Sequence, residues 1–219
     1  MKSSKTRPNG VARTDIIDAS MRLFADRGFE GVSLREIAAA ARVHVPAIYL
    51  HFADKRALYL ASCSAAFLKP SHDLAMLLRD EASDAENMLT FMIGMCHVNL
   101  TNPVVNKLAQ RLVLDDDRGM IKMLTLSTID EYTGPVLHLI ERLVGKKQAR
   151  ATAFNAFSMS YGASQSFSFL HAAGWVTSAI RKPAKLAEHI LGVVIPHIDW
   201  IAVRKALSPE ARALIANLD

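Results

Sequence analysis

The sequence has little of what marks most alternative readings. Cysteine occurs only at Cys63 and Cys96 in 219 residues. That spacing suits no metal site, and both residues lie in apolar helical contexts, as expected of buried thiols in a reducing compartment. No apolar run reaches the ~18 residues needed to span a membrane. The opening MKSSKTRPNG leads into an amphipathic helix rather than the apolar stretch of a signal peptide. A cytoplasmic protein without membrane contact is therefore expected. No stretch alternates cleanly as a strand would. Catalytic signatures are missing too: there is no Ser/His/Asp order, His-Glu-x-x-His, Gly-rich phosphate loop or helical carboxylate pair with a His. The eight histidines are scattered, and His189 and His197 are too far apart to pair as ligands. No cofactor and no metal are expected. An enzyme or carrier for apolar small molecules, built on a helical bundle, is the alternative reading.

What is present is helical. Hydrophobic residues make up 51% of the chain, enough for a sizeable core, and Ala, Leu and Met dominate them. Net charge is +5, unevenly placed. Residues 1–60 hold ten Lys/Arg against six Asp/Glu, whereas 61–219 hold sixteen against fifteen. The excess thus lies toward the N-terminus, where a phosphate backbone would be met.

The chain is organised around Ser33–Lys55, SLREIAAAARVHVPAIYLHFADK. Ser33 and Glu36 form a capping box, so a helix starts at Leu34. Leu34, Ile37, Ala38 and Ala41 share one apolar face, and the small run Ala38–Ala41 lets a second helix cross closely. Arg42, Val43 and His44 break the pattern. Pro46 then falls in the first turn of a new helix, where its missing N–H costs little. That helix is expected over Val45–His51. Ile48 and Phe52 are spaced for the core, which leaves Val45, Pro46, Ala47, Tyr49 and Leu50 on the other sides. Asp54 caps a fourth helix. Lys55, in its first turn, is unfavourable for the helix dipole, so a phosphate partner explains it better than helix stability does.

The pattern A-x-V-x-x-P-A-I-Y-x-H-F, Ala41 to Phe52, resembles the DNA-binding domain of TetR-family transcriptional regulators. So do D-R-G-F-E-G at Asp26–Gly31 and Y-x-H-F-x-D-K at Tyr49–Lys55. The resemblance runs from Arg13 to about Ala61, roughly a quarter of the chain. It implies that Val45, Pro46 and Ala47 take base-edge positions, that Tyr49 and His51 approach phosphates, and that Arg35 reads a guanine. Ser33, His44, Leu50 and Lys55 complete the expected DNA-facing set. Three apolar readers can touch thymine methyls but form no bidentate hydrogen bonds, so discrimination leans on Arg35. The chain departs from the family in three places. Arg42 stands where Gly is usual, His44 where Ser or Thr caps the third helix, and Leu50 where an aromatic is common.

The expected architecture is all-α. A basic arm, residues 1–10, carries Lys2, Lys5 and Arg7 and leads to Arg13. A three-helix helix-turn-helix DNA-binding domain covers residues 11–62, and a C-terminal helical bundle for ligand binding and dimerisation covers 63–219. Helix 1 is expected over Val11–Arg27, closed by Gly28. Helix 4 is expected over Lys55–Lys69, ended by Pro70, with Leu58, Tyr59 and Phe67 turned to the second domain. Further helices are expected at Ser71–Ala82, Ala85–Leu100, Pro103–Leu114 and Met120–Val144. Asp115–Asp117 and Arg118 form a solvated link, and Gly134–Pro135 kinks or splits the helix after it. Two long helices, about Gln148–Gly174 and Pro183–Ala206, follow, the second bent at Pro196. A short helix capped by Ser208 ends the chain.

The second domain reads as a sensor. Its Met/Phe-rich interior suits irregular apolar ligands. The candidate ligand-binding residues are Met88, Phe91, Met92, Met95, His97, Phe154, Phe157, Tyr161 and Gln165. The lone polar groups His97, Asn99, His138 and Gln165 would orient the molecule. By the same resemblance, the last two long helices pair with their copies in a two-fold homodimer, with Gly162, Ala163 and Ser164 allowing close approach. The partners expected are double-stranded operator DNA of pseudo-palindromic sequence and a small apolar or aromatic effector. The effector would shift helix 4, change the spacing of the two recognition helices and release a repressor. Activation rather than repression stays open, because the operator's position decides it.

Overall fold

A computed structural model describes residues 13–114, 130–216 and 218. The described residues fall into two compact units, one of 13–67 with 107–114, the other of 68–106 with 130–216 and 218. The arm with Lys2, Lys5 and Arg7, and the link Asp115–Arg118 with the start of the following helix, lie outside the described residues.

In the first unit, α1 (Arg13–Arg27) buries Ile16, Ile17, Ser20, Phe24 and Ala25 along one stripe. Gly28 ends it at φ 72°, its N–H donating to the Phe24 carbonyl at 2.8 Å, the left-handed closure that glycine adopts without strain. α2 (Leu34–Ala41) starts with the expected capping box and buries Ile37 and Ala38. Arg42 then takes the left-handed conformation at φ 58°, its N–H bonded to the Ala38 and Ala39 carbonyls. The usual glycine geometry is thus kept by an arginine. α3 spans only Val45–Tyr49, two residues shorter than its periodicity suggests. α4 (Lys55–Ala75) is capped by Asp54, whose Oδ1 accepts the Ala57 N–H at 2.7 Å. Tyr59 is fully buried against Phe24 and Phe29 of its own unit, with ring centroids 4.8 and 5.3 Å away. The expectation that it points to the second domain is therefore corrected. The buried Ser20 and Ser62 hydroxyls, 2.6 Å apart, join α1 to α4.

Pro70 does not end α4 but lies inside it. The proline ring holds a helical φ, so the helix carries on, at the cost of one backbone hydrogen bond and of crowding against the carbonyl one turn earlier. The expected helix Ser71–Ala82 is accordingly the last turn of α4 followed by a loop. In the second unit, α5 (Asp84–Thr101) is the central element, with ten buried residues. Gly94 is required there, because a Cβ would lie 2.5 Å from Leu77 Cδ1 and 2.6 Å from Leu74 Cδ2. α6 (Pro103–Leu114) follows, then α7 (Asp130–Val144), which contains Pro135 without splitting. α8 (Lys146–Ala172) is joined to α7 through Gly145 at φ 80°. A short 3-10 turn, Ser178–Arg181, which the periodicity does not reveal, precedes α9 (Pro183–Val194). At Pro196 the expected single helix breaks rather than bends. α10 (Trp200–Lys205) restarts under an Asp199 cap, and α11 (Pro209–Ile215) under Ser208. The buried Trp200 closes this break by donating its indole N–H to the Ile195 carbonyl at 3.0 Å. Met88, Leu89, Met92, Ile93, Leu139, Ile140, Ile190 and Leu191 form the core of the unit. Among the described residues no single helix is long and apolar enough to cross a membrane.

Candidate functional site

The first unit presents α3 outward. Ile48 and Phe52 point inward and are almost wholly buried, whereas Leu50 is 83% exposed and Tyr49 55%. His44, Pro46 and His51 are exposed, and Val45 and Ala47 half-buried. Tyr49 and Leu50 thus form the exposed side of α3, opposite the buried Ile48. Arg35 is exposed in the first turn of α2 and has no ion-pair partner among the described residues. Its guanidinium is available for a base edge.

The scaffold around this face is tightly tied. The Ser33 N–H donates to Glu36 Oε2 at 2.8 Å, and Arg27 Nη1 donates to Glu36 Oε1 at 2.7 Å. The Arg27 bond, aided by Ser33, holds the Glu36 carboxyl at about 2, well below its ordinary 4.5. Glu36 thus fixes the start of α2 to the end of α1. The Ser33 hydroxyl donates to the same carboxylate at 2.7 Å. A phosphate contact by the Ser33 hydroxyl would therefore compete with its bond to Glu36. Lys55 has found a partner as well: its Nζ sits 4.3 Å from the Phe29 ring centroid. That cation–π contact offsets the unfavourable helix end and competes with the phosphate explanation. The Arg13 guanidinium lies 5.0 Å from the Phe52 ring centroid.

Sequence reasoning missed one support. Lys107 and Arg111 of α6 both meet the end of α1. Lys107 Nζ donates to Asp26 Oδ1 at 2.5 Å, and Arg111 Nη2 to the Asp26 carbonyl at 3.0 Å. The Lys107 ammonium holds the Asp26 carboxyl below its ordinary value. These partners are 81 and 85 residues apart in sequence, and no local signal links them.

In the second unit the candidate ligand residues are not brought to one place. Met88, Phe91 and Met92 are buried core, with Phe91 edge-on to Phe157 at 6.2 Å between centroids. Met95, His97, Phe157 and Tyr161 are half-buried. Phe154 is 71% exposed on α8, and Gln165 is also exposed. Both share a face of α8 with Phe157 and Tyr161 at helical spacing, yet they are left exposed rather than turned to the interior. His97 donates from Nδ1 to the Leu218 carbonyl, 2.9 Å away, and lines a cleft of about 420 Å³ with Thr101, Arg181 and Lys182. His138 lies on the surface beside Glu141 and lines a separate cleft of about 280 Å³ with Arg79 and Arg142. Of the polar groups singled out, only Asn99 is buried. It donates to the Ser160 hydroxyl of α8 at 2.9 Å.

The first unit is a helix-turn-helix with its second helix turned outward, and the second unit is helical among the described residues. Residues 16–62 match the family model of the bacterial regulatory proteins, tetR family. The chain is 46% identical over 48 residues to the uncharacterized HTH-type transcriptional regulator YerO of Bacillus subtilis, 22% of this chain and 17% of that protein. Identity to the HTH-type transcriptional regulator AcrR of Shigella flexneri is 49% over 47 residues, 22% of each. To the HTH-type transcriptional activator FasR of Mycolicibacterium smegmatis it is 39% over 54 residues, 25% of each. These matches span a quarter or less of the relatives' length. The fold likeness extends further. A TetR-like regulator from Rhodococcus sp. RHA1 superimposes with a TM-score of 0.62 at 22% identity, over 85% of this chain and 98% of that one. FadR of Bacillus subtilis, solved with stearoyl-CoA, gives 0.61 at 13% identity, over 85% and 100%. AibR, solved with isovaleryl coenzyme A and operator DNA, gives 0.60 at 18%, over 84% and 98%. The tetR-family match is thus confined to residues 16–62, and beyond them the likeness is one of fold.

Proposed function

We propose that the chain is a dimeric, ligand-responsive transcriptional regulator. In this reading it binds a pseudo-palindromic operator through α3 and Arg35 and is released as a repressor by a small, largely apolar effector. The observation that carries it is the outward display of Tyr49 and Leu50 beside a buried Ile48 and Phe52. A helix so displayed fits the major groove, and Arg35 supplies the hydrogen-bonding reader that α3 lacks. Dimerisation is supported by the second unit. Phe154 and Phe169 on α8 and Val193 on α9 are exposed, and Cβ atoms at Gly162 and Gly192 would meet open space. A second copy laid on these helices would cover that surface. The Met-rich interior and the acyl-coenzyme A ligands of FadR and AibR support an apolar effector. FasR is an activator, so the position of the operator relative to the promoter decides the sign of regulation.

The test is fluorescence anisotropy with duplex DNA enriched from a random pool by the protein itself. Selection of an inverted repeat, with binding reduced by rising salt, supports the reading. Enrichment of no common sequence refutes it.

A further inference from the structure

The two clefts of the second unit differ in how their cations are held. In the one beside His138, Arg142 donates to both oxygens of Asp84, with Nη2 2.7 Å from Oδ1, and Arg79 is paired with Glu86. The positive charge there is already neutralised. The cleft of about 420 Å³ beside His97 is different. Arg181 and Lys182 line it, both are exposed, and neither has an ion-pair partner among the described residues. No carboxylate lies among its described lining residues, and Leu100, Pro183 and Leu218 give it an apolar wall. Arg181 is also held in place. Its guanidinium carbon is 5.3 Å from the centroid of the Phe167 ring, which itself stacks on His171 at 5.5 Å. A guanidinium laid on a ring face keeps its in-plane N–H donors free, and their fork matches the two oxygens of a carboxylate or phosphate. Stacking further reduces the entropy that a long side chain loses when it binds.

We propose that this cleft binds a small amphipathic anion, with Arg181 and Lys182 on its carboxylate or phosphate and Leu100, Pro183 and Leu218 against its apolar body. One exposed ion pair alone is worth little. Here two cations act on one group, and the cleft volume lies within the roughly 300–1,000 Å³ usual for small-molecule sites. An ammonium would be repelled by the pair, and a neutral molecule would gain only the apolar wall. The site stands whether or not its occupant releases DNA, so it does not depend on the regulatory reading.

The test is isothermal titration of the full chain with octanoate, octyl phosphate, octan-1-ol, octylammonium and inorganic phosphate. Octanoate or octyl phosphate is expected to bind, and the tighter of the two identifies the anionic group. Octan-1-ol and octylammonium are expected to bind at least about tenfold more weakly. Arg181→Gln and Lys182→Gln should each weaken the anion about tenfold. Lys146→Gln, which removes the same charge at the exposed start of α8, should leave it unchanged. If a variant does not fold, the comparison of octanoate with octan-1-ol and octylammonium in the unaltered protein decides alone. Equal binding of octanoate and octan-1-ol, inorganic phosphate as tight as octyl phosphate, an equal loss in Lys146→Gln, or no binding by any probe overturns the site. So does a gain in affinity on removing Asp219, which follows Leu218 in the sequence, since the chain's own carboxylates would then be the occupant. Each of these outcomes leaves the selection of an inverted repeat, which tests the regulatory reading, untouched.

Discussion

Arg35 and Arg42 bracket α2 and illustrate two ways an arginine can serve a DNA-facing domain. Arg35 is exposed in the first turn with no ionic partner among the described residues. Arg35→Ala is expected to weaken binding to selected DNA by about 1–3 kcal/mol and to relax preference at one G·C pair. An unchanged preference in a repeated selection would reassign the reader. Arg42 sits at φ 58°, where a side chain costs about 1–2 kcal/mol. Arg42→Gly relieves that strain but gives up about 0.5–1 kcal/mol of chain entropy, so thermal stability should stay level or rise slightly. If the guanidinium lies along the DNA backbone, the same substitution lowers the slope of log affinity against log salt by about 1. A level slope places Arg42 away from phosphate. Glu36 offers a pH signature. Its folded value, about 2, lies below the ordinary 4.5. Its contribution is therefore complete above the unfolded value and fades as pH falls toward the folded one. Melts followed by circular dichroism between these limits should show Glu36→Gln losing part of the acid sensitivity of the unaltered protein. Parallel curves would mean that Arg27 and Ser33 do not protect the ionised form.

Helix elements divide into those whose signals are local and those whose fate is decided by packing. Ser33 and Glu36 lie within one turn of each other and Gly28 closes α1 by itself, so the start of α2 and the end of α1 are readable from sequence. Pro70 and Pro196 are the same residue type with opposite outcomes. α4 continues through Pro70 because its last turn packs Leu74 into the second unit's core, whereas the chain after Ile195 is held open by the Trp200 bond. No local rule separates the two. The Asn99, Asn106 and Ser160 cluster was half legible: Asn99 stands out as polar on an apolar helix, but its partners emerge only when α6 and α8 are in place. Gly94 was invisible for the same reason. Gly94→Ala forces a methyl against Leu74 and Leu77 and should destabilise by about 1–3 kcal/mol in denaturant titrations, as overpacking does. A neutral result would mean that the end of α4 shifts without cost.

For the whole molecule, the sequence carries the all-helical class through its Ala, Leu and Met content and its lack of alternation, and it carries the first unit through short motifs. The sensor resists such reading because a methionine stripe that lines a ligand and one that fills a core look alike until burial is known. Dimerisation makes a prediction at this scale. Phe154 is largely exposed in the single chain, so Phe154→Asp should leave subunit folding intact yet shift sedimentation from dimer to monomer. It should also weaken operator binding, since two half-sites can no longer be held together. A dimer that survives the substitution would put the interface elsewhere. The two tryptophans extend this. Trp175 is 79% exposed just beyond α8, while Trp200 is enclosed and hydrogen-bonded. One indole emits from a watery setting and the other from a dry one. Without any added dye, the red edge of the emission spectrum will follow events at the surface beside α8 and the blue edge the integrity of the interior, so association and unfolding can be watched in one cuvette as separate colours.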